Sequence, residues 1–365
     1  MADTPLPDRF VLRDHIQRGD PAPPCPEGPY KSILDRFSGR YIVLAFYQDA
    51  RDAVGQATLR ALEEHRSLVE QKKAAFLCIS SNPAEKSELT LEQDFPSLAF
   101  LWDFDAAIKR AYGIGRVRVW IVLDPMRRVL DLIPFRSDGA DRQLLFALLE
   151  RLPPPSRAVG FDIQAPFIVL PRVFEPELCR HLIDLFEQHG GRESGFMRQA
   201  GGKAVETFDA KVKRRRDYMI ADELLMEQIK ARIVRRIGPM MVAAFQFNPS
   251  WVERYLVACY SVEDGGHFSA HRDNTVKATE HRRFAISVYL NEDYDGGGLV
   301  FPEFSAREVK APTGAAVVFS SSLLHGVGKV TRGRRYAFLP FIHDDEAERI
   351  RLANLQFLSH PDLEA

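Results

Sequence analysis

Cysteine is scarce in this chain: Cys25, Cys78, Cys179 and Cys259 are widely scattered, with no Cys-x-x-Cys pair. That spacing argues against a disulfide framework and against a thiolate zinc site, so the thiols are expected to be reduced and mostly buried. Long apolar runs are missing too. The longest stretches, such as Tyr41 to Tyr47, fall well short of the roughly 18 residues that cross a bilayer, and no membrane span is expected. Neither sign of charge is in excess. Lys and Arg number 49 against 50 Asp and Glu, so no global field recruits nucleic acid or an anionic membrane. The opening residues, Met1-Ala-Asp-Thr-Pro-Leu-Pro-Asp8, show no basic segment followed by an apolar one, which makes export unexpected and the cytoplasm the expected location.

What is present is ordinary globular composition, 45% hydrophobic and 27% charged over 365 residues. That length suggests two domains at roughly 150 residues each. The clearest break is Leu152-Pro-Pro-Pro-Ser-Arg157, where prolines end a helical pattern over 141–152. The expected division is therefore 1–155 and 156–365. Upstream, β-rich runs (41–46, 75–79, 119–123) alternate with helical patterns (57–71, 105–112), as βαβ units around a partly parallel sheet do. Downstream, two helical stretches (175–189, 222–236) precede short strands from Val252 to His343, with turns at Gly265-Gly266, Gly296-Gly297-Gly298 and Gly314. Many strands with glycine-rich turns behind two helices suggest a jelly-roll barrel.

The chemistry concentrates in Tyr260-Ser-Val-Glu-Asp-Gly-Gly-His-Phe-Ser-Ala-His271-Arg-Asp273-Asn274. Residues two apart on an extended strand face the same way, so His271 and Asp273 can present an imidazole and a carboxylate to one point. His325 follows at the end of an apolar strand. Two histidines and one carboxylate occupy one face of an iron coordination sphere and leave positions open. In Thr331-Arg-Gly-Arg-Arg335-Tyr-Ala-Phe-Leu-Pro-Phe341, alternation sets Arg335 among Ala337, Leu339 and Phe341. A guanidinium among apolar side chains needs a partner, and its planar fork suits a carboxylate. A dicarboxylate such as 2-oxoglutarate meets that need, its keto acid end on iron and its far carboxylate on Arg335, helped by the Tyr260 hydroxyl.

These residues, from about Phe167 to Asp344, resemble the iron- and 2-oxoglutarate-dependent dioxygenases of the prolyl 4-hydroxylase group. Ala258-Cys-Tyr260, His271-Arg-Asp273-Asn274, Tyr289-Leu-Asn291, Gly297-Gly-Leu299-Val-Phe-Pro302, His325 and Arg335-Tyr-Ala337 occur in the family's order. The resemblance implies a double-stranded β-helix with iron on His271, Asp273 and His325. It also implies 2-oxoglutarate on Arg335 and Tyr260, with Tyr289 lining the cosubstrate pocket. It implies hydroxylation of an unactivated C–H bond, most readily of a protein side chain such as proline, with release of succinate and CO2; L-ascorbate is a further cofactor candidate. A free amino acid or small natural product is the alternative substrate, and a 2-oxoglutarate or metal sensor without turnover is the alternative class.

The N-terminal half, from about Gly19 to Pro134, resembles the peroxiredoxin branch of the thioredoxin-like fold. The matching pieces are Gly19-Asp-Pro-Ala-Pro23, Gly39-Arg-Tyr-Ile-Val-Leu-Ala-Phe-Tyr47, Ala111-Tyr-Gly-Ile114 and Val119-Trp-Ile-Val-Leu-Asp-Pro125. Where that branch carries Thr-x-x-Cys, this chain reads Asp52-Ala-Val-Gly55. Glycine cannot be oxidised by peroxide, so the usual peroxidase route is excluded in that register. The domain is then a binding module or a structural remnant, and reduction through Cys78 or Cys25 is a third reading.

Other histidines compete for attention. His267 shares parity with His271 but lies too far along an extended strand, His281 sits in a polar stretch that reads as a solvated loop, and His343 falls after the last barrel strand. Lys211-Val-Lys-Arg-Arg-Arg216 reads as a solvated or substrate-facing strand, suited in the second case to an acidic substrate. Phe245, Phe247 and Trp251 read as core. The expected partners are a protein or small-molecule substrate and a second copy of the chain, not a membrane or nucleic acid.

Overall fold

The computed structural model describes residues 16–23, 29–49, 52–82, 95–115, 117–161, 163–200 and 202–357. Cys25 and the opening residues Met1 to Asp8 lie outside them. The chain divides into two compact units, Met1–Ile163 and Gln164–Ala365. Among the described residues no helix is long and apolar enough to cross a membrane.

The N-terminal unit runs α1 (Pro29–Arg36), β1 (Tyr41–Gln48), α2 (Ala53–Glu64), α3 (Arg66–Gln71), β2 (Ala74–Ser80), β3 (Leu98–Trp102), α4 (Ala107–Ala111), β4 (Val119–Leu123), β5 (Val129–Pro134) and α5 (Ala140–Arg151). Its sheet has the order β3-β2-β1-β4-β5. β1, β2 and β3 pair in parallel, and β4 and β5 join antiparallel. The strands read as continuous apolar runs because both faces are covered. Tyr41, Val43 and Ala45 meet Leu62, Val69 and Leu145 on one face. Ile42, Leu44 and Phe46 meet Leu34, Ile108 and Tyr112 on the other. The helix expected over 57–71 begins earlier and breaks. Asp52 caps α2 by accepting from the Gly55 N–H at 2.7 Å, and His65 leaves helical geometry between α2 and α3, its ring stacked on Phe146 at 3.7 Å.

The C-terminal unit begins with β6 (Phe167–Leu170), α6 (Pro176–His189), β7 (Arg192–Glu193), β8 (Phe196–Ala200), β9 (Lys203–Thr207), β10 (Lys213–Arg214), β11 (Arg216–Met219), α7 (Glu223–Arg236) and α8 (Gly238–Phe245). It continues with β12 (Trp251–Glu253), β13 (Leu256–Ser261), β14 (His267–His271), β15 (Phe284–Tyr289), β16 (Asp295–Gly296), β17 (Leu299–Phe301) and β18 (Ser305–Val309). It closes with β19 (Ala316–Ser320), β20 (His325–Val327), β21 (Val330–Arg332), β22 (Arg334–Phe338), β23 (Phe341–His343) and α9 (Asp345–Asn354). A five-stranded sheet, β10-β14-β20-β17-β18, accompanies a larger one, β12-β23-β15-β22-β13-β11-β7, onto which β19 and β6 are added through β15. Alternation assigns each strand two duties. On β13, Val257 and Cys259 join Leu182, Phe186, Ile229 and Met241 of the helices, while Ala258 and Tyr260 join Phe268, Phe301 and Phe319 inside the barrel. The face expected to hold Arg335 among apolar residues is less simple: Tyr336 and Phe338 are buried as well, because helices cover the outer side.

Sheet pairing starts well before Val252, where the sequence pattern first suggested it, because β6 is drawn in beside β19 and β11 beside β13. The strand around Pro340 divides into β22 and β23. Phe245 and Phe247 pack on Phe284, each with ring centroids 4.9 Å apart. Trp251 departs from the core reading: it is 46% exposed, its indole N–H donating to Asp345 at 2.8 Å. Gly314 precedes β19 with φ +79°, where a Cβ would meet the Phe174 carbonyl oxygen at 2.2 Å, a place only glycine fills.

Candidate metal centre

β14 and β20 pair antiparallel with His271 directly opposite His325, and the register shifts between Phe268 and His271. A shift of that kind re-aims a side chain. Asp273 lies just past β14, its N–H donating to the Ser321 carbonyl at 3.0 Å. Its carboxylate then spans the histidines: Oδ1 is 3.4 Å from His271 Nε2 and Oδ2 is 3.4 Å from His325 Nε2. Donor atoms of the three residues lie within 4.8 Å of one another. In both imidazoles Nδ1 faces a backbone carbonyl, that of Ser269 at 2.8 Å and of Leu323 at 3.0 Å. A carbonyl only accepts, so Nδ1 carries the proton and Nε2 keeps its lone pair toward Asp273.

Burial pushes His325 down to about 4, against the attraction of Asp273, so it is neutral at neutral pH. For Asp273 burial acts upward, but His325, His271 and Arg282 outweigh it and hold the carboxyl below its usual range. The centre therefore offers two imidazole nitrogens and one anionic oxygen, a donor set suited to a divalent transition metal.

Arg335 lies opposite Tyr260 in the β13–β22 register and is fully buried. Its guanidinium lies 5.3 Å from the Tyr260 ring centre and 4.8 Å from that of Tyr289. Nη2 donates to Ser287 Oγ at 3.0 Å. Nε and Nη1 are buried without an acceptor, and leaving donors of a charged group unmet inside a protein is costly. The Tyr289 hydroxyl donates to the Val309 carbonyl at 2.8 Å, and its oxygen, with that of Tyr294, faces the Arg335 guanidinium. Ser287 escaped sequence reasoning, although it stands two residues from Tyr289 on one strand and so shares its face.

The basic run corrects the solvated-strand expectation. Lys213 and Arg215 are buried, whereas Arg214 and Arg216 are exposed. Arg215 pairs with Asp217 at 2.6 Å and donates to the Tyr260 hydroxyl at 3.4 Å. Lys213 donates to Ser194 Oγ at 2.7 Å and lies 4.8 Å over the Phe268 ring, which in turn stacks on His271 at 3.6 Å. Burial, reinforced by Arg215, holds the Lys213 pKa well below that of a free lysine. Two of the histidine readings also need correction. His281 is fully buried against Glu253 rather than solvated, and His343 is the last residue of β23 rather than beyond the barrel. His267 Nδ1 faces the Gly265 carbonyl at 2.8 Å, apart from the three clustered donors.

With this geometry in view, relatives can be placed. The 2OG-Fe(II) oxygenase superfamily matches residues 255–343. A PKHD-type hydroxylase of Synechococcus sp. is 31% identical over 140 residues, 33% of this chain and 62% of the relative. A PKHD-type hydroxylase of Pseudomonas fluorescens is 30% identical over 179 residues, 46% of this chain and 74% of the relative. A prolyl hydroxylase of Trichoplax adhaerens, solved with a hypoxia inducible factor oxygen degradation domain peptide fragment, aligns at 17% identity and TM-score 0.38 over 52% of this chain and 86% of its own. The chain thus spans 62% of the length of the first curated relative.

The chain contains a 2OG-Fe(II) oxygenase domain, of the class of 2-oxoglutarate-dependent dioxygenases. It belongs to the PKHD-type hydroxylase family. That class implies Fe(II) and 2-oxoglutarate, and the residues present fit both. Two imidazoles and a carboxylate converge for the ion, and a buried guanidinium lacks two partners for the dicarboxylate.

Proposed function

We propose that residues 156–365 hydroxylate an unactivated C–H bond of a protein side chain, proline foremost, using Fe(II), O2 and 2-oxoglutarate. One oxygen atom enters the substrate and the other enters succinate, while 2-oxoglutarate loses the carboxyl next to its keto carbon as CO2. The observation that carries this reading is the pairing of the His271, Asp273 and His325 cluster with Arg335, whose Nε and Nη1 are buried without acceptors. The hydroxylase names of the relatives support it.

In this reading His271, Asp273 and His325 hold the ion, which supplies the oxygen chemistry that side chains lack. The backbone carbonyls of Ser269 and Leu323 keep both Nε2 lone pairs facing inward. Arg335 receives the far carboxylate of 2-oxoglutarate on its free fork while Ser287 fixes its third nitrogen. The Tyr260 and Tyr289 rings hold the guanidinium plane, and the Tyr260 hydroxyl reaches the same carboxylate. Phe301, Phe319 and Val317 line the interior and exclude water. An acidic substrate suits the exposed Arg214 and Arg216, which donate to backbone carbonyls and have no carboxylate ion pair among the described residues.

The first domain, residues 1–155, is read as peroxiredoxin-like and non-peroxidatic, a binding or structural module. The mixed order β3-β2-β1-β4-β5 supports that, as does Gly55, which has no sulfur, at the capped start of α2.

The test is visible absorption of anaerobic protein with Fe(II), before and after 2-oxoglutarate, followed by succinate release with candidate peptides. A charge-transfer band that needs both additions, and succinate formed in step with hydroxylated peptide, is the expected result. Absence of the band at any concentration overturns the site assignment. A band without turnover on any peptide or amino acid favours a sensor.

A further inference from the structure

We propose that Glu253, His281 and His343 form a second metal site, a structural one for a zinc-like divalent ion, which fastens the closing strands of the barrel. Donor atoms of these three residues lie within 4.8 Å of one another. They come from three separate places: Glu253 ends β12, His281 lies between β14 and β15, and His343 ends β23.

Both imidazoles are enclosed, His281 at 0% and His343 at 2% exposure, with ring centres 5.2 Å apart. Each has a carboxylate behind one nitrogen. His281 Nε2 is 2.8 Å from Glu253 Oε2, and His343 Nε2 is 2.7 Å from Glu348 Oε2 on α9. An ionised carboxylate only accepts, so each Nε2 bears the proton and each Nδ1 keeps its lone pair. Both Nδ1 atoms are buried with no hydrogen-bond partner.

At His343 the Glu348 carboxylate orients one ring nitrogen while the other stays free, which is how proteins prepare histidine for a metal. Arg282 engages Glu253 Oε1 most closely, at 2.5 Å, leaving Oε2 and His281 Nε2, 2.8 Å apart, to take the ion in place of the proton between them, with the unpartnered His343 Nδ1 as the third donor. Two imidazoles and one carboxylate oxygen suit zinc. An ion joining residues 253, 281 and 343 closes two long stretches of chain, so its binding energy adds to folding stability.

The test uses the full chain with Asp273→Ala and His325→Ala, which removes the first centre, titrated calorimetrically with Zn(II) and optically with Co(II). One ion per chain, a cobalt absorption band and a melting temperature raised by zinc are expected. Adding His281→Gln and His343→Gln abolishes all three. Glu348→Gln leaves every ligand in place and weakens binding roughly 10- to 100-fold, the usual cost of losing a carboxylate behind a ligand histidine. No ion in a folded Asp273/His325 variant overturns the second site, and a single ion in the wild type would then leave the first centre standing. Should the quadruple variant not fold, unchanged zinc affinity in Glu348→Gln overturns the proposal.

Discussion

The two units differ in where buried polar groups go unmet: in the first, Trp102 Nε1 and Asp141 Oδ1 lack a hydrogen bond singly, whereas in the second such atoms stand beside clustered metal-type donors. In the N-terminal unit buried carboxylates close local structure: Asp103 accepts from the Ile108 and Lys109 N–H groups at the start of α4. Asp124 accepts from the Arg128 N–H in the β4–β5 turn, and Asp141 takes the Trp120 indole N–H at 2.9 Å. In the C-terminal unit Arg335 Nε and Nη1, His281 Nδ1 and His343 Nδ1 stay buried without partners. Native proteins rarely leave such groups unmet, so where they cluster a ligand is the economical explanation. The contrast favours the C-terminal unit as the seat of the proposed chemistry.

Removing a metal ligand breaks that contrast most severely. His325→Ala is expected to reduce both the anaerobic Fe(II)–2-oxoglutarate absorption band and succinate formation to background. Arg335→Ala should keep Fe(II) but raise the 2-oxoglutarate concentration for half-saturation. Loss of a charged hydrogen bond, about 1.5–3 kcal/mol, corresponds to roughly 10- to 150-fold. Arg335→Lys should recover part of this, since a point charge replaces a fork.

A change in the first unit sharpens the comparison from the other side. Asp141→Ala leaves the Trp120 indole N–H unmet, a cost of about 1–3 kcal/mol, and should lower the melting temperature of that unit while iron and 2-oxoglutarate binding stay at wild-type values. Cysteine replacement should be smaller still. Cys78, Cys179 and Cys259 are buried, and burial first of all pushes the Cys179 and Cys259 thiols up to about 11 and about 12, so they are not thiolates at neutral pH. A variant lacking all four cysteines should turn over normally, and lost turnover in folded protein would favour a thiol role.

The smallest effect is electrostatic. Arg236 and Arg232 hold Glu175 down to about 2, against the ordinary 4.5. A carboxyl whose folded pKa is depressed stabilises the fold fully above 4.5, and that contribution fades as pH falls from 4.5 toward 2. Glu175 is 38% exposed, so solvent screening limits the pair to less than about 1 kcal/mol. Glu175→Gln should be slightly and uniformly less stable than wild type above pH 4.5, and acid unfolding should show that difference shrinking as pH falls from 4.5 toward 2.

Alternation along single strands was legible without coordinates. Continuous apolar runs gave β4 to the residue and nearly gave β1 and β2, while alternation told that His271 and Asp273 share a face and that Arg335 turns inward. The burial of Lys213 and Arg215 was not legible, because a run of five charged or polar neighbours looks solvated until β10 and β11 are paired against β14 and β13. His281 was misread for the same reason: its partner Glu253 is remote in sequence. By itself the sequence determined the donor types, their order and the faces they take, since those follow from local geometry and period. Only the tertiary structure decided that His325 stands across from His271, that Arg335 keeps an open fork, and that His281 meets His343. Those facts depend on register between distant strands and on the cost of burying charge, which no local pattern records.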